Sequence, residues 1–304
     1  MVIFLTDATN FIGKNILEEL LSKGAKVKVL VDSEKKSWKF FQGFLDKPYY
    51  KNLELVHGNA MFPESYSEHL KDVDVVVSLK GTSFRTVYRE KVFWKREYEM
   101  TKILVDEAVK NKVKKFIYIT SLGIPWGAKS KLLSAKYKAE KYVIEFSDNW
   151  AIIRSSLVIG PEGEFTRSVF SMLRRGIVLI VGDGKYSIRP ISVATISNLV
   201  SLVATEKGID RKELNVVGPK EYVYEEFIDT FASIVGKKKY LKFHLPISTV
   251  KLLAKLFGRL SFSPLSLSQM ELIEKGGNIY FDVTDKLPVK NIPVEEEIKK
   301  LKYR

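Results

Sequence analysis

The chain has 304 residues, a net charge of +14 and no cysteine. That length allows one large domain, or one large domain with a small lobe, while the lack of thiols excludes disulfides, thiolate catalysis and cysteine-based metal sites. The only imidazoles, His57, His69 and His244, are not at metal-ligand spacing, and no apolar run approaches the roughly 18 residues of a membrane span.

The first half alternates apolar runs with amphipathic stretches. Strands are predicted at 2–6, 26–31, 53–56, 73–79, 115–120 and 150–154, and helices near 12–23, 64–71, 90–111 and 131–147. In the first helix Ile12, Ile16, Leu17, Leu20 and Leu21 form one apolar stripe at helical spacing. The runs "VDVVVSL" and "KFIYITSL" are nearly continuous in apolar residues, as central parallel strands buried on both faces require. Strands alternating with helices imply right-handed βαβ units and an α/β doubly wound parallel sheet, a Rossmann fold. The segment 33–52 is long for a strand connection. Its Trp38, Phe40, Phe41, Phe44, Tyr49 and Tyr50 predict a small helical insertion packed on the sheet edge.

After about residue 160 the rhythm changes. "FTRSVFSMLRRG" reads as a helix, "VLIVGDGKYSIRPISV" as strands joined by a Gly-Asp-Gly turn, "ELNVVG" as a late strand and "YVYEEFIDTFASIVG" as a helix. The predicted division is a dinucleotide-binding domain over 1–160 and a small C-terminal α/β substrate lobe over 161–304. One strand–helix element near 190–220 returns to the sheet.

The first turn, "TDATNFIG", decides the chemistry. A dinucleotide turn needs one glycine for the tight bend, one for backbone approach to the pyrophosphate and one for close helix packing. The helix N-terminus then offers its N–H groups to the phosphates. Here only Gly13, the close-packing position, is glycine. Asn10 tolerates φ > 0 better than most residues, whereas the Asp7 carboxylate repels phosphate. The competing reading makes Asp7 and Asn10 simple helix caps. Asp32, which follows the second strand, is placed to accept from the ribose hydroxyls and disfavours a 2′-phosphate, pointing to NAD over NADP.

These segments resemble an atypical or extended short-chain dehydrogenase/reductase. The group is the one containing the nucleotide-binding accessory subunit of respiratory complex I and NAD-dependent epimerase-like proteins. The resemblance rests on "LTDATNFIGKNILEELLSKGAKVKVLV", "LELVHGNAMFPES", "DVDVVVSLKG", "VKKFIYITSLG", "WAIIRSSLVIGPEGEF", "NVVGPKEYVYEEFI" and "PLSLSQMELIEKGG", in family order over nearly the whole chain. It implies a cofactor, NAD or NADP, held by Thr6, Asp7, Thr9, Asn10, Phe11, Ile12, Gly13, Asp32, Asn59, Ala60, Leu79, Lys80, Gly81 and Thr120. Asp7 and Asn10 replace the family's first two glycines, Asn59 replaces an acidic residue, and Lys80–Gly81 stand where Ala-Gly is common.

The resemblance further implies a Ser, Tyr, Lys arrangement in which the lysine lowers the tyrosine pKa and the tyrosine moves the substrate proton. Ser121 matches the serine. Tyr137 and Lys141 fit Y-x-x-x-K literally. Alignment back from "IIRSSLVIGP" instead puts the lysine at Lys136 or Lys138 and Leu132 or Ser134 at the tyrosine place. Arg154, Arg174, Arg175 and Arg189 are the only counterparts of the family's phosphate-binding arginines, and they suit structural ion pairs equally.

The segment 249–263 spaces Lys251, Lys255 and Arg259 four apart among leucines, a pattern shared by core helices and by helices that lie on a membrane surface or a protein partner. The positive charges are otherwise spread along the chain, which argues against nucleic acid. Lys/Glu richness without cysteine suits a thermophile. The N-terminus goes straight into a strand, so no secretory signal is expected; the expected location is cytoplasmic or peripheral to the membrane. The leading expectation is an NAD(P)-binding protein with weak or no turnover. Its alternatives are an active oxidoreductase on a small or isoprenoid-like carbonyl substrate, and a membrane-surface or partner-binding module without nucleotide.

Overall fold

The computed structural model describes residues 1–32, 37, 41–44, 46–79, 94–123, 131–206, 208–250, 252 and 287–301. Seven parallel strands form the central sheet: β1 (Val2–Thr6), β2 (Lys26–Val31), β3 (Leu53–His57), β4 (Val75–Ser78), β5 (Lys115–Ser121), β6 (Trp150–Ser155) and β11 (Lys212–Val216). Their spatial order is β3-β2-β1-β4-β5-β6-β11. The order reverses between β1 and β4, so the switch point of a doubly wound fold opens at the C-terminal ends of these two strands.

Alternation along each strand feeds two cores. Ile3, Leu5, Val75, Val77, Ile117, Ile119, Ala151 and Ile153 face one way; Phe4, Val76, Phe116, Tyr118 and Ile152 face the other. Helix α1 (Phe11–Ser22) buries Ile16, Leu17, Leu20 and Leu21 on the first side. It packs beside α5 (Val193–Thr205), whose Ile196, Leu199, Val200 and Val203 are fully buried. On the second side lie α2 (Met100–Lys110) and α3 (Lys131–Phe146). A π-helical segment, Trp94–Glu99, precedes α2.

A third core joins α4 (Glu164–Arg175), β8 (Ile177–Val181), α6 (Tyr224–Ile234) and α7 (Val294–Lys299) around Val169, Val178, Ile180, Phe227, Phe231 and Ile298. Short strands β7 (Val158–Ile159) and β10 (Ile191–Ser192) pair in parallel. Strands β9 (Ser187–Ile188) and β12 (Tyr222–Val223) pair antiparallel, and β13 (Leu241–Leu245) runs parallel to β8. The strands flanking the Gly-Asp-Gly turn, β8 and β9, thus pair elsewhere and not with each other. Gly182 and Gly184 both sit at φ 73° there, in the left-handed region.

The expected helix over 64–71 is instead two 3₁₀ turns, Pro63–Ser65 and Ser67–Leu70. The stretch has only Tyr66 and Leu70 to bury. Ser65 Oγ donates back to the Phe62 carbonyl at 2.6 Å, closing a loop in place of a helix. The expected helix 90–111 begins, among the described residues, at Trp94. Of the 33–52 insertion, Phe41 is fully buried and Tyr49 and Tyr50 pack on the first core. The basic segment 249–263 lies outside the described residues apart from Thr249, the buried Val250 and the exposed Leu252. Among the described residues no helix is long and apolar enough to cross a membrane.

Candidate dinucleotide site

The turn after β1 holds one residue in a glycine-like backbone conformation. Asp7 holds φ 54°, the left-handed conformation that glycine enters freely and Asp enters at some cost. Asn10 is the N-cap of α1: its Oδ1 accepts from the Gly13 N–H at 2.7 Å, and its carbonyl accepts the first helical bond from Lys14. Thr9 and Asn10 are exposed, while Phe11 and Ile12 are half-buried. Gly13 is obligatory by geometry, since a Cβ there would lie 2.3 Å from the Asp7 carbonyl oxygen.

The helix start is braced by the loop that follows β7. The Phe11 ring fills the space where a Cβ at Gly160 or Gly163 would fall, at 2.6 and 3.1 Å. Lys14 Nζ meets Glu162 Oε1 at 2.6 Å. Across the switch point Thr6 Oγ1 accepts from the Leu79 N–H at 3.1 Å, joining the ends of β1 and β4. Lys80 and Gly81 lie outside the described residues.

Beside this turn, at the C-terminal ends of β2 and β3, a cavity of about 370 Å³ is lined by Val31, Asp32, His57, Gly58, Asn59, Phe62 and Ser65. Asp32 is exposed at its rim. Asn59 shapes the wall: its Oδ1 accepts from Met61 N–H at 2.9 Å, and its own N–H donates to Ser65 Oγ at 3.0 Å. Ala60 is buried behind it. Phe62, 56% exposed, presents an aromatic face to the cavity. Neither Phe62 nor Ser65 stands out in the sequence, since Phe62 falls just before the expected helix 64–71 and Ser65 within it. An aromatic three residues after Asn59 in a loop was the available signal.

Ser121 closes β5 opposite Ser155 of β6 and is half-buried; Thr120 before it is buried. Helix α3 separates the candidate lysines. Lys141 is exposed, its ammonium 5.5 Å from the Tyr137 ring centroid. Lys138 is also exposed, over the Trp94 ring at 5.0 Å. Lys136 turns inward: with 11% of its side chain exposed, it meets the fully buried Glu97 at 3.1 Å. Next to this pair Tyr118 is fully buried, and burial, then the nearby Glu97 and Glu140 carboxylates, push its hydroxyl pKa well up. Arg154 is likewise internal, bound by Glu140 at 2.8 Å and Glu213 at 2.7 Å. Arg189 Nε donates to the Gly218 carbonyl at 3.1 Å. Arg174 and Arg175 are exposed at the end of α4. No group of three or more metal-binding side chains occurs among the described residues.

Residues 8–168 match the model of a family described as NAD(P)H-binding. The mitochondrial NADH dehydrogenase [ubiquinone] 1 alpha subcomplex subunit 9 of Dictyostelium discoideum is 21% identical over 249 residues, covering 79% of this chain and 65% of the subunit. The chain therefore spans just under two thirds of that relative. An uncharacterized chloroplastic protein of Arabidopsis thaliana is 29% identical over 256 residues, 77% of this chain and 83% of that one. Among solved structures, the Citrobacter sp. triphenylmethane reductase complexed with NADP(H) superposes with a TM-score of 0.75 at 18% identity, covering 98% of this chain and 99% of the reductase. The UDP-glucuronic acid 4-epimerase of Bacillus cereus, in complex with UDP-glucuronic acid and NAD, gives 0.68 at 21% identity over 91% of this chain and 98% of the epimerase. At these identities the structural likeness shows a shared fold.

Proposed function

Because this chain belongs to the NAD(P)H-binding family, we propose that it holds NAD or NADH along the C-terminal edge of its sheet and turns it over weakly or not at all. The observation that carries the reading is the cavity at the ends of β2 and β3, lined by Asp32 and Asn59, beside a turn where Gly13 brings helix α1 hard against the backbone. Together they supply a recess for the adenosine end and a helix N-terminus for the pyrophosphate. When bound, the nicotinamide ring supplies hydride chemistry. Asp32 would accept from the ribose hydroxyls, Asn59 and Phe62 would border the adenine, and Ser121 would face the nicotinamide end.

Helix α3 supports weak turnover. Lys136, at one of the two places that alignment gives the family lysine, is engaged by the buried Glu97, and Leu132 precedes it where a proton-donating tyrosine would be needed. Tyr137 and Lys141 do meet each other, so they remain the pair to test if turnover is found.

The test is thermal unfolding with NAD, NADH, NADP and NADPH. A ligand at 100 times its Kd stabilises by about 2.7 kcal/mol, a readable rise in Tm. A shift selective for NAD(H), lost in Asp32→Ala, supports the reading. No shift with any of the four overturns it. NADH oxidation with carbonyl substrates, abolished by Tyr137→Phe, would replace weak turnover with an active oxidoreductase.

A further inference from the structure

Strand β13 has one partner, β8, and no strand on its other edge among the described residues. The two sides of this ribbon differ. Val178 and Ile180 are fully buried on the inner side, where Lys242 binds Glu225 at 3.0 Å and Asp229 at 2.7 Å. Parallel register puts Leu241 beside Ile177 and Phe243 beside Leu179 on the outer side. There Ile177 is 44% exposed, Leu241 61% and Phe243 48%. Large apolar side chains grouped on one face mark an interaction surface more than scattered ones do.

Four cations stand at one end of that face. Arg174 and Arg175 close α4 just before Ile177; Lys238 and Lys239 lead into β13; all four are exposed. The Leu241 N–H donates to the Gly176 carbonyl at 2.9 Å, which holds the two segments together. None of the four has a carboxylate partner among the described residues. The concavity between these segments is lined by Gly176, Asp229, Lys238, Lys239, Tyr240, Leu241 and Lys242. Its single carboxylate, Asp229, is engaged by Lys242 and by the Tyr240 hydroxyl.

We propose that the outer face of the β8–β13 ribbon docks on an anionic phospholipid surface, with Lys238, Lys239, Arg174 and Arg175 on headgroup phosphates and Ile177, Leu241 and Phe243 in the outermost acyl layer. Charge selects this occupant, because a chain of +14 carries its unpaired cations beside the apolar group. A second copy would set like charge against like, and lysines leading into an edge strand oppose strand pairing. Nucleic acid binding asks for stacked aromatics along a basic groove, and this face offers one aromatic among aliphatics. The inference is independent of dinucleotide binding.

The experiment is sedimentation of the full chain with phosphatidylcholine vesicles, and with vesicles that also carry phosphatidylserine. Binding is expected with the anionic vesicles alone and should weaken as salt rises. Lys238→Ala with Lys239→Ala should cut partitioning roughly 25-fold, about fivefold per charge. Leu241→Ser with Phe243→Ser should also cut it while leaving Tm in place, since both positions are exposed. The chain has no cysteine, so Phe243→Cys takes a polarity-sensitive fluorophore at one site, and its emission should shift to the blue on anionic vesicles. The proposal is overturned by any of three results: no vesicle binding, binding indifferent to both double substitutions, or a label that stays in water. Binding to polyuridylate that matches vesicle binding and ignores the apolar substitutions would overturn it as well, assigning the patch to polyanions.

Discussion

Asp7 shows how one residue can keep a backbone shape while changing its chemistry. At φ 54° it occupies the conformation for which a dinucleotide turn uses glycine, and in the proposed binding mode its carboxylate would stand beside the phosphates. Asp7→Gly keeps the bend and removes the repulsion, which near a protein surface is worth on the order of 1–2 kcal/mol. NADH affinity should therefore rise about tenfold in a calorimetric titration. An unchanged Kd would mean that the Asp7 carboxylate lies clear of the phosphates. Gly13 has no such latitude. In Gly13→Ala the new Cβ meets the Asp7 carbonyl at 2.3 Å, where backbone must move. The expected cost is about 1–3 kcal/mol, visible as a lower Tm together with loss of any dinucleotide-dependent shift. Wild-type Tm in this variant would show that the turn can retreat.

At the level of elements, α3 and the π-helical segment before α2 are locked by the Lys136–Glu97 pair. Removing Lys136 takes one cation away from the buried Glu97, at a cost of up to about 3–5 kcal/mol. Lys136→Met should show that loss in urea unfolding, and adding Glu97→Gln should recover part of it. A double variant as unstable as the single one would mean that packing, not charge, holds the two elements together. This pair also marks where the sequence stops being legible. The six strands expected before residue 160 were readable because a doubly wound sheet demands apolar runs buried on both faces, and α1 because its stripe follows the helical period. Gly13, Asn10 and Asp32 could be picked out from their places around the first two strands. Lys136 and Glu97 could not be paired, since each reads alone as a surface charge and only the packing of α3 on the π segment brings them together. Phe62 escaped for a related reason: its loop is closed by serine bonds that have no periodic signature.

Across the whole molecule the two edges of the sheet have separate tasks. The C-terminal edge holds the turn and the cavity, and the N-terminal edge is stitched by charge. Lys28 of β2, nearly buried, reaches Asp72 at 2.5 Å. Asp74 takes Lys114 at 2.6 Å and the Val2 N–H at 2.8 Å. Lys115 of β5 binds Asp210 at 2.7 Å and the Val203 carbonyl at 2.8 Å. Each carboxyl is held below its ordinary 3.8, chiefly by the hydrogen bond from its lysine, Lys28, Lys114 and Lys115 respectively. A folded-state pKa below the unfolded one means that the unfolded chain binds more protons in that window. The stabilisation is complete above 3.8 and is lost as pH falls through the depressed folded values. Tm should hold from neutrality down to about pH 4 and then fall. Lys28→Met combined with Lys114→Met releases Asp72 and Asp74 toward their unfolded values, so the acid limb of the Tm–pH curve should become shallower. A limb of unchanged slope would show that these lysines do not hold the carboxyls down, and would move the origin of acid sensitivity away from the N-terminal edge.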